Sequence, residues 1–206
     1  MKKLFLAIFF STLFINVSNG FAQDNNTEKS IKDFIQNMGD EIINTAKNNK
    51  LKDKQKRQKI IEIIDNAIDA KWIARFVLGK HYKTANEEQR KLFMSYYRDF
   101  MINTYGPKFN NYDGKKFNTN SVEKQNNFYL VKSEFIPKNS NTTIFFDFRV
   151  IEVEGKFLIV DFIAEGISLI ETQRSEFNSS INQDGLDKFL ENLKEKVAKL
   201  KLAQSK

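Results

Sequence analysis

The sequence predicts an α+β fold, a single domain in which helices pack on a four-stranded antiparallel sheet. Three observations predict it. Apolar residues recur at helical spacing through residues 28–105, residues 115–164 change to a two-residue period, and the helical period returns after Gly166. No internal repeat, linker or low-complexity stretch divides the 206 residues.

The chain opens with Lys2 and Lys3, an apolar run over residues 4–17, and Gly20-Phe21-Ala22 with small residues at both flanks. That pattern predicts a secretory signal peptide over residues 1–22, cleaved after Ala22, and a mature domain over residues 23–206 that is soluble and exported. The apolar run is short for a bilayer span. With no cysteine in the chain, a cysteine-linked lipid anchor, disulfides, thiolate metal sites and cysteine nucleophiles are all excluded. Loss of Lys2 and Lys3 lowers the formal charge from +7 to +5, a mild balance unlike the clustered basicity of nucleic-acid proteins.

In the first predicted helix, residues 28–48, Ile31, Phe34, Ile35, Met38, Ile42 and Ala46 form one stripe. A basic run over residues 47–59 reads as a solvated turn and first helical turns or as a docking surface for acidic head groups or a partner, and Ile60, Ile61, Ile64 and Ile68 close the second helix. Asp69 is placed to cap a short helix carrying Trp72, Phe76 and Val77, with Gly79 at its end. Thr84 and Glu87 have capping-box spacing, which predicts a helix from Ala85. Along it Leu92, Phe93, Tyr96, Tyr97, Phe100, Met101 and Thr104 share a face opposite Glu87, Lys91, Arg98 and Asp99. A face this aromatic packs on a sheet or lines a cavity, and periodicity does not choose between them.

Pro107, Asn110, Asn111, Asp113 and Gly114 turn the chain into strands over residues 115–123, 127–136, 142–152 and 156–164, joined as a meander. In the third, Ile144, Phe146, Phe148 and Val150 alternate with Asp147 and Arg149. The fourth is apolar on both faces except at Asp161, so a central position is expected. Residues 168–180 resume a helix, and Asp184-Gly185 opens a last one with Leu186, Phe189, Leu190, Leu193, Val197 and Leu200 in a stripe.

Catalytic chemistry is poorly represented. His81 is the single histidine, no serine stands in a nucleophile-elbow setting, and no glycine-rich phosphate loop occurs. Asp161 and Glu165 are not compelled by their spacing to face each other, and Asp161 is expected to cap a turn or pair with a basic side chain. The sequence points away from an enzyme.

Two segments carry a resemblance. VLGKHYKTANEEQRKLFMSYYRDFMINTYGPKFNNYDGK (residues 77–115) and FLIVDFIAEGISLIETQRSEFNSSINQDGLDKFLENLKEK (residues 157–196) resemble, in order and distance, the signature regions of the MlaC-type periplasmic proteins. That family comprises toluene-tolerance auxiliary components of an ABC transport system that maintains outer-membrane lipid asymmetry. Tyr82 and Phe157 stand where the family often has tryptophan, Asn86 replaces a proline, and Thr172-Gln173 precedes Arg174 where Asn-Tyr is usual.

The resemblance implies that helices and sheet enclose an apolar pocket. It further implies a phospholipid-binding shuttle in the periplasm, exchanging lipid between an outer-membrane lipoprotein complex and an inner-membrane ABC transporter with its lipid-binding subunit. Phospholipid would be cargo, with no cofactor, no metal and no nucleic acid. Expected lining residues are Trp72, Phe76, Phe93, Tyr97, Phe100, Met101 and Tyr105 from the helices and Phe146, Phe148, Val150, Leu158, Val160 and Phe162 from the sheet. Ile167 and Leu169 are expected at the mouth, and Lys80, Lys83 or Arg174, on charge alone, near the head group. The alternative is an interaction module that docks on or regulates a transporter without enclosing lipid.

Overall fold

The computed structural model describes residues 19–105, 114–137 and 142–203. Residues 1–18 of the expected leader, and the expected turn residues Pro107, Asn110, Asn111 and Asp113, lie outside them. The order is α1 (Asn19–Lys47), α2 (Asp53–Ala67), α3 (Ala70–Leu78), α4 (His81–Thr84), α5 (Glu87–Tyr105), β1 (Gly114–Gln125), β2 (Phe128–Pro137), β3 (Ile144–Val153), β4 (Lys156–Ala164), β5 (Ile167–Ser168), α6 (Leu169–Asp184) and α7 (Leu186–Ala203). All strands join one antiparallel meander in the order β1-β2-β3-β4-β5.

The sheet has five strands where the sequence predicts four. Glu165 and Gly166 both take positive φ, 50° and 80°, as a two-residue hairpin turn requires, and this folds Ile167 and Ser168 back onto Ala164 and Ile163. The start of α5 also differs. Asn86, not Thr84, is the cap: its Oδ1 accepts the Gln89 N–H at 2.8 Å while Gln89 Oε1 accepts the Asn86 N–H at 2.9 Å. Asparagine caps at least as well as threonine, and the Thr84 hydroxyl instead donates to the His81 carbonyl inside α4. The first helix also starts earlier than expected, at Asn19, while three other signals hold. Asp69 accepts from the Trp72 N–H at 2.8 Å, Gly79 ends α3 at φ 56°, and Glu87 pairs with Lys91 at 2.7 Å.

Two apolar clusters build the interior. One lies where α1 and α2 cover the inner face of the sheet, joining Ile31, Ile35, Met38 and Ile42 to Phe117, Val131, Phe148, Val150 and Ile159. The other joins α3, α5, α6 and α7 through Val77, Phe93, Phe100, Ile170, Phe177, Phe189 and Leu193. Ile68, at the end of α2, touches both and bridges to Ile159.

α1 also protects the free edge of β1. Gln36 Nε2 donates to the Phe117 carbonyl at 3.0 Å, and its Oε1 accepts the Thr119 N–H at 2.8 Å, so one amide side chain satisfies the unpaired strand as a neighbour would. One turn further, Gly39 lies flat on Phe117, and a Cβ there would stand 2.2 Å from the ring. Alanine usually stabilises a helix interior by about 1 kcal/mol over glycine. Here the steric overlap outweighs that gain, and Gly39→Ala should destabilise the protein by about 2 kcal/mol in urea unfolding.

Candidate functional site

Ten of the fifteen expected lining residues divide between the clusters. Phe93, Tyr97 and Phe100 are buried in the helical cluster, with Trp72, Phe76 and Met101 packed on its margin. Phe148 and Val150 are buried in the sheet cluster, with Phe146 and Phe162 at its margin. Val160 is buried, Leu158, Tyr105 and Leu169 are half-buried, and Ile167 is 66% exposed. Of the two partners the sequence leaves open for the aromatic face of α5, the sheet is not the one: α5 packs on α7 and α3, and α1 with α2 covers the sheet. An aromatic stripe declares that a helix is buried on one side without declaring its partner.

The helical cluster is a closed aromatic stack. Phe93 and Tyr97 stack at 5.3 Å, and Phe177 meets Phe93, Tyr97 and Phe100 edge-on at 5.9–6.3 Å. The seam between α1 and the sheet is closed at its centre and looser at one end. Ile31, Ile35, Val131, Val150 and Ile159 have no exposed surface there. Toward the start of β3, Phe117 and Phe148 stand edge to face at 6.3 Å, and Phe148, Phe146 and Phe162 form a triangle of rings 5.2–6.1 Å apart. Phe146 and Phe162 are half-buried, and beyond them Ile144 (39%) and Phe145 (54%) are exposed.

The β2–β3 ladder is interrupted near this end and resumes in the same register. Val131 pairs with Phe148 and Glu134 with Phe145, but no pairing joins Lys132 and Ser133 to the intervening Phe146 and Asp147. The Asp147 carboxylate accepts the Ser133 N–H at 3.1 Å in place of a strand carbonyl. Ile167 hangs from the adjacent hairpin, where Phe145 and Glu165 exchange hydrogen bonds through the Glu165 N–H and carboxylate. The mouth of the seam thus combines half-buried phenylalanines and an interrupted ladder, with Ile144 and Ile167 exposed beside it and Phe145 exposed on the opposite face of β3. Exposed apolar side chains beside a half-buried apolar face mark a contact site for apolar material.

A buried polar junction separates the two clusters. Asp161, fully buried, accepts from Arg149 at 2.9 Å, from the Ser168 hydroxyl at 2.6 Å and from the Ile170 N–H at 3.4 Å. As the sequence leads one to expect, it pairs with a basic side chain; Glu165 serves Phe145 instead. The Tyr97 hydroxyl donates to Gln173, whose amide donates to Met101 Sδ at 3.2 Å. Burial pushes the Tyr97 and Tyr105 phenols upward, so both stay protonated. Gln173 is 3% exposed, and helical spacing from Ile170 and Phe177 was the one signal for it.

Burial also raises the Asp161 carboxyl above its ordinary range, partly offset by Ser168, Ile170, Arg149 and Phe162. The folded protein therefore holds this proton more tightly than the unfolded chain. Asp161 contributes most to stability below its unfolded pKa of about 4, and that contribution is lost as pH rises through the folded-state value. Urea titrations should show Asp161→Asn removing this pH-dependent component.

The expected head-group residues sit elsewhere. Arg174 lies over the Phe76 ring at 4.5 Å, Phe76 stacks on Trp72 at 5.1 Å, and Lys80 and Lys83 are exposed beside α4, all on the helical side. His81 is half-buried; desolvation, then Lys80, lowers its pKa. A cleft of about 340 Å³ at the α1–α2 corner is lined by Asn37, Asp40, Asn44, Asn48 and Lys59 among others, polar groups unsuited to hydrocarbon. Side chains of the seam outside the expected set include Ile35, Phe117 and Val131, Phe34, which meets Phe157 at 6.2 Å, and the buried Thr119 and Ser133.

Residues 36–195 match the family model described as MlaC protein. The chain is 23% identical over 172 residues to the intermembrane phospholipid transport system binding protein MlaC of Haemophilus influenzae, covering 80% of each. Its fold matches that of a phospholipid-binding protein from Ralstonia solanacearum, solved in complex with a phospholipid, with TM-score 0.73 and 19% identity over 82% of this chain and 97% of that one.

Proposed function

The chain belongs to the MlaC family, and from that premise we propose that it is a periplasmic phospholipid-binding shuttle. It carries lipid between an outer-membrane lipoprotein complex and an inner-membrane ABC transporter with its lipid-binding subunit, and so maintains lipid asymmetry. Residues 1–22 direct export and are removed, leaving residues 23–206 as the working domain. No helix among the described residues is long and apolar enough to cross a membrane.

The observation that carries the reading is the aromatic seam between α1 and the sheet, ending in an exposed apolar rim. We assign the acyl tails to Phe146, Phe148, Val150 and Phe162 with Phe34 and Ile35 of α1, which part to admit them. Each methylene kept from water is worth about 0.8 kcal/mol, so a chain of ~15 methylenes loses roughly 12 kcal/mol if exposed in transit. A carrier must enclose that chain. Seam and bilayer are both hydrocarbon-like, so transfer between them is close to balanced and handover is reversible, with docking partners biasing its direction. The exposed Ile144 and Ile167 shield the tail during handover.

The cargo changes place without covalent chemistry. Native mass spectrometry of protein purified from cells without detergent should show a phospholipid adduct, undiminished in His81→Ala. Apo protein alone, with no uptake from labelled vesicles, would overturn the reading.

A further inference from the structure

We propose that Thr119 and Ser133 form a hydroxyl pair that holds the ester carbonyl of an acylated glycerolipid just inside the mouth of the seam. The inference rests on the lipid-carrier reading and names the polar contact within that site.

Thr119 and Ser133 are direct partners across β1 and β2, 5% and 1% exposed. Among the described residues neither hydroxyl has a hydrogen-bond partner. Strand alternation from Phe117 and Val131, both in the sheet cluster, puts the two side chains on the face beneath α1. Their backbone groups are already engaged: Gln36 accepts the Thr119 N–H, and Asp147 accepts the Ser133 N–H. Two donors are therefore free beside a cluster of phenylalanine, valine and isoleucine. Buried hydroxyls left unpaired are costly, so their presence in such a wall asks for an acceptor.

The chemistry of that acceptor follows from the surroundings. Directly opposed side chains on paired strands lie about 5 Å apart, close enough for two hydroxyls to converge on one oxygen with two lone pairs. Lys32, whose ammonium donates to the neighbouring Asn120 carbonyl at 3.2 Å, is engaged on the exposed side of β1, and a phosphate brought in beside the buried hydroxyls would be a buried, unpaired charge. A neutral carbonyl suits the site, and in a glycerolipid the ester carbonyl adjoins the acyl chain. The pair lies one side-chain row inward from Phe117 and Phe135, beside the interrupted ladder and Phe146. An ester held there sends its chain over Val131 and Phe148 and leaves the glycerol toward the rim.

The test is a competition between ester-linked and ether-linked lipid. The full mature chain is incubated with vesicles of equimolar diacyl and dialkyl phosphatidylglycerol of matched chain length, and bound species are read by native mass spectrometry. Wild type should favour the diacyl lipid by about tenfold, the effect of one or two hydrogen bonds. In Thr119→Val/Ser133→Ala the ratio should fall to about one with no drop in melting temperature, and Ser133→Ala alone should lower it about threefold. Equal binding in wild type, a preference surviving both substitutions, or a lowered melting temperature would each overturn the hydroxyl pair while leaving the carrier reading intact. Binding of neither lipid would overturn the carrier reading itself.

Discussion

Phe146→Glu should empty the protein of lipid while leaving it folded. Phe146 is half-buried, edge-on to Phe148 at 5.2 Å and tilted against Phe162 at 6.1 Å, at the point where the β2–β3 ladder is interrupted. A glutamate there reaches water when the seam is closed, so its cost to folding should be about 1–2 kcal/mol. With an acyl chain in place, the same carboxylate would be pressed against hydrocarbon and lose its hydration. Lipid-to-protein ratio should fall at least about tenfold, with urea unfolding reporting the small stability change beside it. A folded variant that keeps its lipid would move the mouth elsewhere. Unchanged transport by a folded variant that holds no lipid would favour the interaction-module alternative.

The opposite pattern is expected of Phe93→Ala. Phe93 is fully buried, stacked on Tyr97 at 5.3 Å, edge-on to Phe177 at 6.3 Å and tilted against Phe189 at 6.4 Å. Removing a ring from the centre of such a stack should cost about 3–5 kcal/mol, from lost burial and the cavity left behind. Calorimetry should record that loss, yet lipid bound per folded molecule should match wild type. The two variants together assign the helical cluster to stability and the sheet seam to cargo.

Much of this architecture is legible in residue order. Asp69, Gly79 and the stripe from Leu92 to Met101 declare α3 and α5, and the alternation of Phe146, Asp147, Phe148 and Arg149 declares a half-buried strand. These signals are local: a cap acts within a turn, and a period names a face. What covers that face is decided by elements far along the chain. The stripe of α5 and the stripe of α1 are equally visible, but only the fold shows that α1 takes the sheet and α5 takes α7. The same reasoning explains Thr119 and Ser133. Nothing in a polar residue within a strand announces that its hydroxyl is buried and unpaired, because register, the α1 cover and the Asp147 carboxylate each contribute. Asp161 was easier, since a lone acid in an apolar strand demands a partner, and Arg149 stands directly across from it.

The central claim is that cargo tails lie between α1 and the inner face of the sheet. Photocrosslinking tests it most directly: the chain is loaded with a phospholipid bearing a diazirine near the acyl terminus, irradiated and digested, and the labelled peptides are mapped. Labels should fall on α1 around Phe34, Ile35 and Met38 and on the strand residues Val131, Phe148, Val150 and Phe162. Labels confined to α5 and α7, around Phe93, Phe100 and Phe189, would contradict it.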